Sequence, residues 1–561
     1  MRDIPVCKGV FGRLFFMPMS MKRVRLGKAN TKPKRDVDSM KQWLKNALAF
    51  EKNEPFDLGE KAVETGVSPP IHLHGRSEKT HTPPFFPSVS LARCERSLTR
   101  IFGHGENDDF IVRRFRTGHT DAFVAYIDGM VDSERINEMV LRPMMHFACK
   151  NIRQAEAHIV SVQDVASCTD GQKAIDAINT GMAVLMMDGD AAFLTMETRS
   201  FPKRGVSTPE NERVLRGPQQ GFIEDLRTNV GLVRNLARTA DVCTQFLPMG
   251  GNNGLRCALM FRHGVTDRRL LAEVRQRMER AKELPGFVLG EGMLTRVFDQ
   301  RRYSLFGQTL QTERPDRTAS FLMQGHVVLL CEGTPFALVL PVTFFDLMHT
   351  SEDVFVRPAV ATLERIVRVF SVLFTLLLPG VYVAVMTFHQ EVLPTDFMVS
   401  TITMRKMVGL PVLFEVLLTS ALFEIVREAS LRVQGGMNQS LSIIGGLVLG
   451  QALSSANIVS PIVLILVALT GLCSFAIPDF SLQMAAYILR YGFLVLGGLF
   501  GLVGLAAGFV VLLCYLSTLQ SLGVPFFAPY APATRTRDDM ILRRVRRTSG
   551  SADTVNMEHG A

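Results

Sequence analysis

Residues 439–477 read QSLSIIGGLVLGQALSSANIVSPIVLILVALTGLCSFAI, 39 positions without one Asp, Glu, Lys or Arg. A helix rises 1.5 Å per residue, so this run is long enough for two crossings of a ~30 Å hydrocarbon core. Asn457 to Pro461 supplies the break between them. In water such a run cannot cover itself. Outward from it the pattern recurs at 366–388, interrupted only by Arg368, Pro379 and Gly380, and at 492–518. A further apolar stretch, 408–426, carries Glu415 and Glu424. Carboxylates are costly at the bilayer centre unless they face partners or water, so this stretch is either a crossing with an acidic interior face or an amphipathic surface segment. The spans predicted are therefore 366–388, 408–426, 439–456, 459–477 and 492–518. Four or five cross, with four favoured because both flanking regions read as cytoplasmic.

Charge lies almost wholly outside this region. The 561 residues carry 62 Lys and Arg against 53 Asp and Glu, a net charge of +9. Basic clusters stand at both ends, Lys22 to Arg35 and Arg535 to Arg547. They lack the interleaved aromatics of a nucleic-acid surface and sit beside a membrane domain, so anionic lipid or cytoplasmic retention is the expected reading and no nucleic acid is expected. The apolar start at 10–19 is short and broken by Arg13 and Pro18, which does not read as a signal peptide. Nine cysteines without a CxxC pair read as free, buried thiols in a reducing compartment.

The expected architecture is an α/β soluble N-terminal region of two subdomains followed by an all-α transmembrane helical domain. The boundaries are a basic, flexible arm at 1–90, subdomains at 91–235 and 236–350, the membrane domain at 351–532, and a basic cytoplasmic tail at 533–561. Strand patterns at 109–116 and 121–128 alternate with helix patterns at 133–145 and 171–180. Residues 181–196, GMAVLMMDGDAAFLTM, align without gaps to 325–340, GHVVLLCEGTPFALVL. Each reads as strand, acidic-Gly turn, strand, so two similar subdomains are predicted.

Catalytic constellations are missing: GxSxG, HExxH, a P-loop and GxGxxG do not occur. No enzyme, metal or cofactor is expected; His72, His74 and His81 lie in a Pro-rich stretch without acidic or Cys company. In the membrane region Ser442, Gly446, Gly450 and Ser454 recur at intervals of four, on one helix face. With Gln439 and Asn457 at its ends, this helix either packs tightly or lines a narrow, partly wet pathway between several copies. Gly497, Gly501, Gly504 and Gly508 repeat the device. Glu424, Arg427, Glu428 and Arg432 form a helix-end ion network or a gating element. In the soluble part the run 213–229 is the most distinctive, with Gly217-Pro218 opening a turn before a helix.

Six runs, in order, resemble the A subunit of the GerA family of spore germinant receptors: 123–132 (FVAYIDGMVD), 216–229 (RGPQQGFIEDLRTN), 391–395 (EVLPT), 424–432 (EIVREASLR), 444–451 (IGGLVLGQ) and 521–532 (SLGVPFFAPYAP). The chain departs from the family pattern at Gln219-Gln220, at Val433-Gln434 and at Asn235-Leu236. The resemblance implies a membrane subunit of a spore nutrient receptor, a homo-oligomer with the pentamer as the expected form. Its implied partners are a B-type transporter-like subunit and a C-type lipoprotein. The implied site is the spore inner membrane, with the N-terminal region on the core side, and the implied event is release of monovalent cations through a ligand-gated channel. On that picture Gln439, Ser442, Gly446, Gly450 and Asn457 line the pore. Glu424, Arg427, Glu428 and Arg432 gate it, and Arg216, Gly217, Pro218, Gly221, Phe222 and Asn229 meet the next subunit. An accessory protein like sporulation protein AF, and a secondary transporter, are the alternative classes; the transporter's usual internal membrane repeat is not visible.

Overall fold

The computed structural model describes residues 85–531 apart from 86, 104, 201–208, 210–211, 215, 250–254, 283–290, 300–303, 433–447, 449 and 529. The expected arm before residue 85, the basic tail and most of the proposed pore-lining run lie outside the described residues.

Two five-stranded sheets share one topology. The first, in order β1-β2-β4-β5-β3, contains β1 Phe110–Thr117, β2 Thr120–Ile127, β3 Val165–Cys168, β4 Ala183–Met187 and β5 Phe193–Met196. The second, β6-β7-β9-β10-β8, contains β6 Val242–Met249, β7 Leu255–Arg262, β8 Leu310–Thr312, β9 Val327–Cys331 and β10 Ala337–Leu340. Neighbouring strands all pair antiparallel. Both faces are buried, so side chains alternate between two cores. Phe123, Ala125 and Ile127 face one core and Ala122, Val124 and Tyr126 the other.

The two stretches aligned in the sequence form the hairpins β4-β5 and β9-β10. Their turn glycines, Gly189 and Gly333, have φ of 85° and 79°, which a Cβ opposes. The repeat extends beyond the hairpins. Helix α1 (Leu91–Leu98) and helix α3 (Leu226–Ala237) open the two halves, while α2 (Gly171–Asn179) and α6 (Pro315–Met323) precede the two hairpins. Gly189 N–H donates to the Val89 carbonyl at 3.0 Å and Gly333 N–H to the Glu224 carbonyl at 2.9 Å, each two residues ahead of its opening helix. On the second sheet, α4 (Arg268–Lys282) and α5 (Glu291–Phe298) cover the face opposite α3 and α6. The halves are joined where Arg234 of α3 grips Asp109 with two bonds of 2.8 and 2.6 Å, both residues buried.

The C-terminal part is helical: α7 Pro358–Phe388, α8 Thr395–Arg405, α9 Val412–Arg432, α10 Pro461–Phe475 and α11 Phe480–Thr518. Among the described residues, α7 and α11 are long and apolar enough to cross a bilayer. The stretch 408–426 is for the most part inside α9, with Glu415 fully buried.

Helix α11 revises the expected 492–518 span. Gly501 has φ 63° and ψ −150°, a combination outside the helical region and essentially reserved for glycine. The chain reverses there. Ser481 packs beside Gly307, and Tyr515 donates a 3.2 Å hydrogen bond to Ser304, so the two ends meet one short strip of the soluble region. A straight helix of 39 residues would hold them ~57 Å apart. Residues 480–500 and 502–518 are thus two antiparallel rods, ~31 and ~25 Å long by the same rise. The glycine stripe has a matching explanation. A Cβ on Gly497 would lie 2.5 Å from the Gly380 carbonyl oxygen of α7, and one on Gly508 would lie 2.7 Å from Leu496 of the facing rod. The glycines let these rods touch within one chain.

Candidate functional site

Charge buried among apolar helices is expensive, and three clusters mark successive depths of the bundle. The first lies where α7 leaves the soluble region. Asp353 is 1% exposed and accepts from Arg365 at 3.0 Å, from Arg368 at 3.0 Å and from the Thr350 hydroxyl at 2.9 Å. Burial alone would raise its carboxyl pKa. The Arg368 charge and the hydrogen bonds from Arg365, Arg368 and Thr350 outweigh burial and hold it below the ordinary carboxylate value. Arg368 also bonds the Met348 carbonyl at 3.3 Å. Arg368, which interrupts the first apolar span in the sequence, thereby fastens α7 to the segment that follows the second sheet. The end of α11 docks nearby: Ser521 Oγ donates to the Gln308 carbonyl at 2.6 Å and accepts Val342 N–H at 3.1 Å. Phe344 N–H bonds the Phe526 carbonyl at 2.8 Å.

The second cluster sits within the bundle. Glu424 and Arg427 of α9 form an ion pair at i,i+3. The Arg427 guanidinium lies 4.2 Å from the centre of the Tyr487 ring, and Arg490 lies 5.1 Å from the same ring and 5.0 Å from Tyr491. Arg490 is 1% exposed and stands 4.0 Å from Glu424 Oε2, which is buried with no hydrogen-bond partner among the described residues. Tyr487 is held by a 2.5 Å bond to Ser474 of α10. Three helices therefore converge on one carboxylate and two guanidinium groups. Sequence reading grouped Glu424 and Arg427 with Glu428 and Arg432 as a helix-end ion network or gating element and did not include Arg490, whose carboxylate neighbour lies on another helix. Glu428 is exposed, and the Arg432 side chain lies outside the described ones.

The third cluster is at the far end, near the α11 turn. Glu415 Oε1 accepts Ser460 N–H at 2.7 Å and the Ser460 hydroxyl at 2.5 Å, so a carboxylate from α9 caps the start of α10. Its other oxygen is 3.3 Å from Arg405 at the end of α8. Replacement Glu415→Gln is expected to cost about 2 kcal/mol, because the amide keeps one acceptor but turns an N–H2 toward Arg405. A lowered thermal midpoint of the detergent-purified protein, with Glu415→Asp milder, is the check.

The remaining sequence candidates are distributed unevenly. Gln439, Ser442 and Gly446 lie outside the described residues. Gly450 is half-buried, with open space where a Cβ would stand. Asn457 is exposed and left-handed at φ 53°, ending its helix. Of the proposed subunit contacts, Arg216 and Gly217 are exposed and Pro218 is half-buried. Gly221, Phe222 and Asn229 are buried within the chain. Phe222 is 1% exposed, and the Asn229 amide clamps both backbone groups of Ile223, accepting at 2.9 Å and donating at 2.5 Å. Such groups have no surface left to offer a neighbour. Runs 123–132 and 216–229 also meet further on: Gly231 of α3 presses on the Gly129 backbone, and Arg227 pairs with Asp128 at 3.5 Å.

Comparison with known proteins gives consistent matches. The model of the Bacillus/Clostridium GerA spore germination protein family matches residues 96–551. Spore germination protein KA of Bacillus subtilis is 33% identical over 435 residues, 76% of this chain and 80% of that protein. Spore germination protein A1 of the same organism is 30% identical over 441 residues, 78% and 91% of the two chains. The uncharacterized membrane protein YfkQ, also of B. subtilis, is 33% identical over 462 residues, 81% and 90%. Among solved structures, the crystal structure of the N-terminal domain of the A subunit of the Bacillus megaterium spore germinant receptor GerK3 aligns with a TM-score of 0.33 at 20% identity. It covers 47% of this chain and 98% of that one.

Proposed function

The chain belongs to the GerA family of spore germination proteins, and from that premise we propose that it is the A-type membrane subunit of a nutrient-germinant receptor, forming an oligomeric ligand-gated ion channel. The observation that carries the reading is the family match over 96–551, which spans both sheets and the membrane helices together. In the proposal, copies gather around an axis as a pentamer in the spore inner membrane, with the sheets on the core side. A B-type subunit takes the nutrient and a C-type lipoprotein completes the complex. Nutrient shifts a closed–open equilibrium only by its difference in affinity for the two states. The shift reaches the bundle through the Asp353–Arg365–Arg368 junction, and Glu424, Arg427 and Arg490 hold the helices in register. Opening lets monovalent cations leave.

Single cysteines placed along 439–457 test the pore in the assembled receptor. Labelling from the aqueous side with a helical period supports it, with Gly450 and Asn457 reactive. Uniform protection contradicts a water-lined helix.

A further inference from the structure

We infer that Cys257 and Cys331 form a site of reversible oxidation, a cross-strand disulfide between β7 and β9 of the second sheet. The two are direct register partners on adjacent antiparallel strands. Glu332 N–H bonds the Arg256 carbonyl at 2.9 Å, which makes 256 and 332 a hydrogen-bonded pair. The next pair along, 257 and 331, is therefore of the non-hydrogen-bonded kind, where Cα atoms stand ~4.5 Å apart and side chains are closest. That spacing lies within the range a disulfide spans. The sulfurs are already 3.0 Å apart.

Both thiols are buried, at 0% and 1% exposure, beneath α4 and α5. They are nevertheless one residue from the turn end of the sheet, where Arg256, Glu332 and Gly333 are exposed. Fraying of that end admits a small oxidant without opening the core. Hydrogen peroxide is the class that fits. One thiolate attacks peroxide, giving a sulfenic acid and water; the neighbouring thiol then displaces that hydroxyl as a second water, leaving the disulfide. Two electrons and two hydrogens leave the sulfurs, and one peroxide becomes two waters. Cys243 shares the same core but pairs in register with Phe261, so it has no partner thiol opposite and serves as an internal control.

The inference stands apart from the receptor reading. The full chain in detergent is exposed to peroxide, unfolded in the presence of an alkylating reagent, digested and examined by mass spectrometry. The expected product is a peptide linking Cys257 to Cys331, lighter by two hydrogens and released by dithiothreitol, with Cys243 recovered alkylated. The oxidised protein should also resist proteolysis at its second sheet several-fold longer than the reduced one. Recovery of both thiols alkylated from the peroxide-treated native protein overturns the inference, as does pairing of either with another cysteine instead. Since the wild-type chain is used, misfolding of a variant cannot mimic either result.

Discussion

Substitution Gly501→Val should leave almost no correctly folded protein in the membrane. The residue sits at φ 63° and ψ −150°, where a β-branched side chain is excluded, and the backbone strain alone is worth roughly 3 kcal/mol. A Cβ there would also come within 3.0 Å of the His389 ring and 3.2 Å of Phe388, at the end of α7. Those contacts close the apex of the hairpin against its neighbour, so relief by a small shift would separate the rods that Gly497 and Gly380 hold together. Continuous helix through 501 is the natural escape, and it would carry residues 502–518 away from Ser304 and Gln308. The measurement is the yield of monodisperse protein after membrane extraction, with Gly498→Ala alongside. A Gly501→Val protein with normal yield and stability would mean that 480–518 is one straight helix.

The second large effect is expected at the junction between the sheets and the membrane. Asp353→Ala removes the one carboxylate that Arg365 and Arg368 share, leaving two guanidinium groups nearly buried without it. Losing one partner of such a buried group costs roughly 3–5 kcal/mol. The effect has a pH counterpart with a definite sign. The folded carboxyl is held below its unfolded value, so its contribution to stability is complete above the unfolded pKa, ~3.9. It is lost as pH falls through the lower folded value. Wild type should therefore gain acid sensitivity from this group only below about pH 4, and Asp353→Ala should lose that component while being weaker throughout the neutral range. Thermal midpoints across pH for both proteins settle it. Identical midpoints near neutrality would show that the three residues carry no weight in joining α7 to the soluble region.

Much of this arrangement was legible in the residues. The acidic-Gly turns at 188–189 and 332–333 announced two hairpins because a two-strand reversal needs that chemistry locally, and the charge-free runs announced membrane helices because nothing else shelters them. What stayed hidden depends on partners distant along the chain. Gly501 looked like one more member of a small-residue stripe, since neighbours alone do not tell a packing glycine from a turning one. Arg490 was not singled out, because the carboxylate and the second guanidinium it meets, Glu424 and Arg427, stand on another helix. Phe222 and Asn229, which the family resemblance suggested as contacts to the next subunit, are buried, and Asn229 is spent on the Ile223 backbone within the chain.

The most direct trial of the account is electrical. Purified chain is co-reconstituted with the B- and C-type subunits proposed as its companions in a planar bilayer, and current is recorded before and after nutrient is added. The account predicts a monovalent-cation conductance that rises with nutrient and is blocked by bulky thiol reagents at a cysteine placed at Gly450. Saturable solute uptake with no discrete currents, or a chain that remains a single protomer in the complete complex, would contradict it.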